Sequence, residues 1–227
     1  MSLESRPHPL FRDRTDAGRT LASALASYAG RDDVIVLALP RGGVPVAYEV
    51  AQALGAPLDV FLVRKLGLPG QEEFAMGAIA SGGIQLINED VVHGYGVSDT
   101  QIEAVAATEQ RELDRRERAY RDGRPMPRVA GRTVIVVDDG LATGFSMRAA
   151  VMALREQSPS RIVVAVPVAA FDTCEEFRLI VDEVVCAETP EPFYAVGIWY
   201  EDFSQTTDDE VHELLAAANQ QRQHHRE

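Results

Sequence analysis

The chain has 227 residues, with 35 acidic against 22 basic side chains for a formal charge of −13, and 46% of it is hydrophobic. This is ordinary globular composition, long enough for one large α/β domain, and nothing in it asks for extended disorder. The acid surplus disfavours nucleic acid and anionic membranes as partners, and no apolar run reaches the roughly 20 residues that cross a bilayer.

The start, MSLESRPHPLFRDR, has no apolar targeting stretch, so a cytoplasmic protein is expected. Residues 12 to 28 read as an amphipathic helix through Ala17, Leu21, Leu25 and Tyr28, closed by Gly30. DVIVLALP follows without alternation, the pattern of a strand covered on both faces in a parallel sheet. A PRGG loop leads into the helix VPVAYEVAQALG, ending at Gly55, and a second strand, DVFLVRK, ends on Arg64 and Lys65.

LGLPGQEEFAMG is rich in Gly, Pro and Glu, and two short strands around Ser81 to Gly83 read as a hairpin, either a flap over a site or a plain surface hairpin. SDTQ at 98 to 101 is a capping box opening a charged helix to about Arg121, whose opposite charges three and four apart suit a solvated face. RTVIVVDD is the third buried strand, followed by the helix GFSMRAAVMALREQ. RIVVAVPVAA, FDTCEEFRLI and DEVVCAE continue as strand, helix and strand, and a last helix begins near Asp208.

Two further compositional points bear on function. Cys174 and Cys186 are too few for a disulfide framework and lack metal-ligand spacing, so they are expected as two small, partly buried apolar side chains. Of the 22 basic residues a single one is lysine, Lys65.

The chemistry concentrates in VIVVDDGLATGFS, residues 134 to 146. In an open parallel sheet ligands bind beyond the carboxyl ends of the strands, where Asp138 and Asp139 fall. The turn into the next helix offers free N–H groups together with the Thr143 and Ser146 hydroxyls, an anion cradle suited to phosphate. Acids beside such a cradle suit a ribose 5-phosphate, whose phosphate fills the cradle while its 2- and 3-hydroxyls donate to the carboxylates.

This stretch resembles the PRPP-binding motif of type I phosphoribosyltransferases, and the resemblance extends thinly over residues 33 to 200. The pattern is closest to a group known only provisionally as phosphoribosyltransferases, some of them fused to hydrolase domains. The resemblance implies a Rossmann-like, open, mainly parallel five-stranded sheet flanked by helices, with a small hood and flexible-loop hairpin. All 227 residues would form a single domain, with a core at about 12 to 200 and a C-terminal helix and tail at about 207 to 227.

The implied activity is magnesium-dependent transfer of ribose 5-phosphate from PRPP to a nitrogenous base or related acceptor, with release of pyrophosphate. The 5-phosphate falls to Gly140, Leu141, Ala142, Thr143, Gly144 and Ser146, and the pyrophosphate to Arg41, Gly42, Gly43, Arg64 and Lys65. Asp138 and Asp139 hold the ribose and the metal, directly or through water, while Lys65 and Arg41 assist the leaving group. In FYAVGIWY, Tyr194 is the nearest counterpart of a base-stacking aromatic, with Trp199 and Tyr200 as alternatives and buried packing open for each. Family habit adds a homodimer.

Three departures stand out. Ala142 replaces an acid that purine-type members use, Gly140 replaces a branched apolar residue, and Phe145 takes a usually small position. No residue identifies itself as base for the acceptor's proton. Three rivals remain: a silent PRPP-binding regulator, a receiver-like phosphorylation domain, and a generic nucleotide-binding fold with no PRPP preference. The second needs a phosphoacceptor Asp on a later strand end and a Lys on another, whereas the only Lys precedes the acid pair and follows the second strand.

Overall fold

The computed structural model of the protein describes residues 8–224, with side chains to 221, so the first residues read above for a targeting stretch lie outside it. After α1 (Arg14–Ala24) and a 3-10 turn (Ala26–Tyr28), the chain forms β1 (Val34–Ala38), α2 (Gly43–Leu54) and the short β2 (Leu58–Val60). The helix expected over 12 to 28 is therefore broken at Leu25. A three-stranded excursion follows: β3 (Val63–Leu68), β4 (Gln71–Ala80) and β5 (Ile84–Ile87). Then come α3 (Glu89–Tyr95), α4 (Asp99–Arg121), β6 (Thr133–Val137), α5 (Phe145–Glu156), β7 (Arg161–Val168), α6 (Phe171–Arg178), β8 (Glu183–Glu188) and α7 (Asp208–His224). The Ser98 and Gln101 capping box at the start of α4 is formed.

The main sheet is wholly parallel, in the order β2-β1-β6-β7-β8. Its unbroken apolar runs serve two cores, because successive side chains leave opposite faces of a strand. Val34, Val36 and Ala38 of β1, with Ile135 and Val137 of β6, pack beneath α1, α2, α4 and α7. Ile35 and Leu37, with Val134 and Val136, pack on α5 and α6. The chain winds from β1 outward to β2, then from β6 outward through β7 to β8. The winding therefore reverses between β1 and β6, whose carboxyl ends lie side by side with Ala38 opposite Val137. Crevices at such reversals are where open α/β sheets take ligands.

One expected strand is really two. DVFLVRK pairs with β1 only as far as Val60. The chain then leaves the sheet through Phe61 and Leu62, where the Leu62 N–H donates to Ser81 Oγ and its carbonyl accepts from the Ser81 N–H. Val63 begins a separate antiparallel sheet, β3-β4-β5. Arg64 and Lys65 thus stand on this excursion rather than at a main-sheet strand end. The Gly- and Pro-rich segment after them is a β-hairpin turning at Pro69 and Gly70, the latter at φ 77°.

The two cysteines are joined as a disulfide, tying α6 to β8. The expectation of two independent apolar thiols is corrected. Twelve residues of sequence separation said nothing of the fold laying the helix against the strand that follows it.

Candidate active site at the reversal of the sheet

β6 delivers Asp138 and Asp139 directly into the crevice. The PRGG loop after β1 closes against them so tightly that its glycines are sterically required. A Cβ on Gly42 would stand 2.0 Å from Asp139 Oδ2, and one on Gly43 would stand 2.7 Å from the Val137 carbonyl oxygen. Of the four loop residues, the Gly43 N–H is already committed to the Leu39 carbonyl. The amides of Arg41 and Gly42 have no backbone partner among the described residues. Arg41 lies with Nη1 3.8 Å from Asp208 Oδ1 at the start of α7, and that carboxylate also accepts from the Tyr120 hydroxyl.

On the other side of the acids, residues 140 to 146 form the turn into α5. The Ala142, Thr143 and Gly144 amides carry no backbone hydrogen bond among the described residues, and the first-turn amides of any helix lack intrahelical partners. Ala142, Thr143 and Ser146 are exposed, so the cradle is open. Gly144 caps α5 at φ 72° with Phe177 behind it, where a Cβ would come within 2.6 Å of the ring. Thr173 Oγ1 donates to the Ala142 carbonyl and fixes the turn from α6.

Leu141 is a correction to the expected cradle. Its side chain is buried, its N–H donates to the Val168 carbonyl, and its carbonyl accepts from Ala170, so it extends the sheet rather than offering a donor. The departures at Gly140 and Phe145 also find reasons. Val196 sits where a Gly140 side chain would go, 2.4 Å from an ideal Cβ, and Phe145 turns to the surface.

The acids themselves are unequal. Asp138 Oδ1 accepts from the Asp139 N–H at 2.8 Å. Asp139 Oδ2 accepts from Arg14 Nε, also at 2.8 Å, and the Tyr200 hydroxyl donates to the Asp139 carbonyl. Asp138 Oδ2 and Asp139 Oδ1 accept nothing from the described residues. Burial pushes the Asp138 carboxyl well above the ordinary range, and the Asp139 charge pushes it further. Asp139 is also raised by burial, with the Arg14 guanidinium pulling it partway back. Burial likewise raises the Tyr200 phenol, helped by the charge of Asp139.

Arg14 and Tyr200 reach the site through a pairing that no sequence motif announces. The Leu10 and Phe11 amides donate to the Trp199 carbonyl, and the Glu201 and Asp202 amides return bonds to Phe11 and Arg12. This knits the segment before α1 to the hood segment. Trp199 is buried in that knot, 5% exposed, and tilts against Phe193, so it is a packing residue and not a face for a base. Tyr194 is 70% exposed and remains available.

Lys65 and Arg64 are engaged elsewhere in this conformation. Lys65 Nζ donates to the Glu73 carbonyl across the hairpin, and Arg64 pairs with Glu109 on α4. Both line a cleft of about 630 Å³ between the hairpin and α4 that includes none of the acid-pair or cradle residues.

Comparisons with known proteins show the family to which the chain belongs. The sequence profile of the phosphoribosyl transferase domain matches residues 12–190. Two Mycobacterium tuberculosis proteins, one from each of two strains, carry provisional phosphoribosyl transferase names and are each 48% identical over 210 residues, 92% of this chain. That match covers 47% of their own length, so the chain spans about half of these relatives. A crystal structure of a Thermus thermophilus protein superposes with a TM-score of 0.79 at 45% identity, covering 91% of this chain and 98% of that one.

Proposed function

The chain belongs to the phosphoribosyl transferase domain family, and from that premise we propose that it transfers the 5-phosphoribosyl group of PRPP to a nitrogenous base or related acceptor, releasing pyrophosphate. The observation that carries this reading is the convergence, at one sheet reversal, of an acid pair with the amino ends of two twelve-residue helices, α2 and α5. Helix amino ends favour anions, and this ligand has a phosphate at each end with a diol between.

In this reading the 5-phosphate rests on the amides of residues 142 to 146 and the Thr143 and Ser146 hydroxyls. The ribose 2- and 3-hydroxyls donate to Asp138 Oδ2 and Asp139 Oδ1, the two oxygens without partners. The pyrophosphate lies over the Arg41 and Gly42 amides, with the Arg41 guanidinium beside it. As the C1–oxygen bond to pyrophosphate breaks and the bond from C1 to the acceptor nitrogen forms, positive charge gathers on the ribose, the carboxylates stabilise it, and the acceptor nitrogen's proton leaves to water or to the departing pyrophosphate. Arg64 and Lys65 assist only after the hairpin rearranges and they give up Glu109 and Glu73, so closure and charge delivery are one motion. Tyr194 stacks on the acceptor.

Magnesium fits this donor set. Asp138 and Asp139 are hard oxygen donors that would hold the ion through water while their oxygens without protein partners among the described residues accept from the ribose hydroxyls. That is the usual arrangement for an ion shared with substrate phosphates and water. When bound, it offsets the charge of the leaving pyrophosphate. A homodimer and a cytoplasmic location are carried over by family analogy as part of this proposal.

The test is a pyrophosphate-release assay with PRPP, magnesium and a panel of purine and pyrimidine bases. Release that requires both PRPP and one acceptor supports the transferase. Binding of PRPP without release for any acceptor favours the silent regulator.

A further inference from the structure

Arg14 opens α1, 125 residues before the acid that it touches. Its guanidinium is held on three sides. Nε donates to Asp139 Oδ2 at 2.8 Å, Nη1 donates to the Ser204 carbonyl at 2.7 Å, and the group lies 4.0 Å over the Phe203 ring. Its side chain is only 11% exposed and that of Asp139 16%. The helix beneath cannot drift, because Gly18 packs so closely on α2 that a Cβ there would stand 2.7 Å from the Val46 carbonyl oxygen. Phe203 is backed in turn by Tyr200, 5.0 Å between ring centres, whose hydroxyl holds the Asp139 backbone. Asp139 is therefore gripped at side chain and main chain by one assembly.

Arg14 has no business at a bare acid pair unless the pair must stay open. Two neighbouring carboxylates beside two anion cradles repel each other and repel an incoming polyanion. A guanidinium bonded to one oxygen of one of them offsets a charge without covering the other oxygens. The result is a fixed pair of free acceptors, Asp138 Oδ2 and Asp139 Oδ1, suited to the two donors of a vicinal diol.

We propose that Arg14 is a positioning residue of the sugar site, which acts through Asp139 to hold that acid's free oxygen toward the ribose diol. The proposal rests on the reading of the site as a PRPP site. The same guanidinium carries the hood segment, through Ser204 and Phe203, so the sugar site and the acceptor side share one anchor.

The test is a double-mutant cycle on PRPP affinity, measured by calorimetry with magnesium present, for the unaltered chain, R14Q, D139N and R14Q/D139N. We expect R14Q to weaken PRPP by at least about tenfold, as removing one partner of a mostly buried charge pair does. In the D139N background the same change should add less than about threefold, and R14K should recover part of the loss. A merely structural Arg14 would lower the melting temperature but give independent, additive losses. Additive losses, or unimpaired binding by R14Q, overturn the proposal while leaving the parent reading intact. Absence of PRPP binding by the unaltered chain overturns both. Should R14Q not fold, R14K takes its place in the cycle, and equal losses for R14K with and without D139N overturn the proposal.

Discussion

Replacing Asp138 by Asn should stabilise the protein while disabling it. Burial is the first reason that the charged Asp138 carboxylate is disfavoured in the folded protein, and the Asp139 charge beside it is the second. Arg14 offsets part of this, since it also acts on Asp138. The substitution keeps the bond from the Asp139 N–H, because an amide oxygen accepts as Oδ1 does, and it places the new amine where no partner is displaced. A net gain of about 1–2 kcal/mol remains, within the range that relief of a strained active-site charge yields. At about 2–4 °C per kcal/mol for a chain of this size, the melting temperature should rise by about 2–8 °C near pH 7.5.

The pH dependence follows from the direction of the shift. The folded Asp138 carboxyl binds its proton more tightly than the unfolded one. The penalty is therefore absent below the unfolded value near 3.9 and grows as pH rises through the higher folded value. Differential scanning calorimetry of both proteins between pH 4 and 8 should show the gap largest at the alkaline end and closing toward pH 4. A lower melting temperature for D138N at pH 7.5, or a gap independent of pH, would refute the reasoning.

The steric demands of the site give further expectations. Gly42→Ala drives a methyl into Asp139 Oδ2; PRPP binding should fall by more than about tenfold while cooperative unfolding persists, and wild-type affinity would contradict the close approach. With the disulfide formed, denatured unreduced protein should show no reactive thiol in a colorimetric assay, and reduction should lower the melting temperature by several degrees, since closing a loop of this size contributes up to about 3 kcal/mol. Two reactive thiols before reduction would contradict the bond. Trp199→Phe should leave the acceptor KM unchanged, whereas Tyr194→Ala should raise it; the reverse would return Trp199 to the base site.

The parts of the fold legible in the sequence were those where one physical cause writes a local pattern. VIVVDD reads as a doubly covered strand carrying acids to its end because burial on both faces suppresses alternation. PRGG was legible as the loop between a strand and a helix, whereas the steric demand for its glycines, set by Asp139 Oδ2 and the Val137 carbonyl, was not. The break inside DVFLVRK left no local mark, since Phe61 and Leu62 are as apolar as a continuing strand and the exit is fixed by Ser81, nineteen residues on. Leu141 looked like part of the cradle because the loop's sequence does not say which amides the neighbouring strand has already taken.

Arg14 was illegible for a different reason. It sits among Arg12, Asp13 and Asp16, where a helix start explains every charge locally, with Asp13 capping the helix. Its partner is set by the pairing of residues 10 to 12 with 199 to 202, a tertiary event with no periodicity to announce it. Tyr194 was the nearest counterpart in sequence and Trp199 an alternative, and only the structure separates the exposed ring from the buried one, because an aromatic near a site is the same letter whether it packs or stacks.

The most direct test of the central claim is calorimetric titration of PRPP into the unaltered chain and into the D138N/D139N variant, each with and without magnesium. The account predicts one site per chain, tightened by magnesium and lost in the variant while its fold is retained. Equal affinity in the two proteins, or no binding by the unaltered chain, would contradict it.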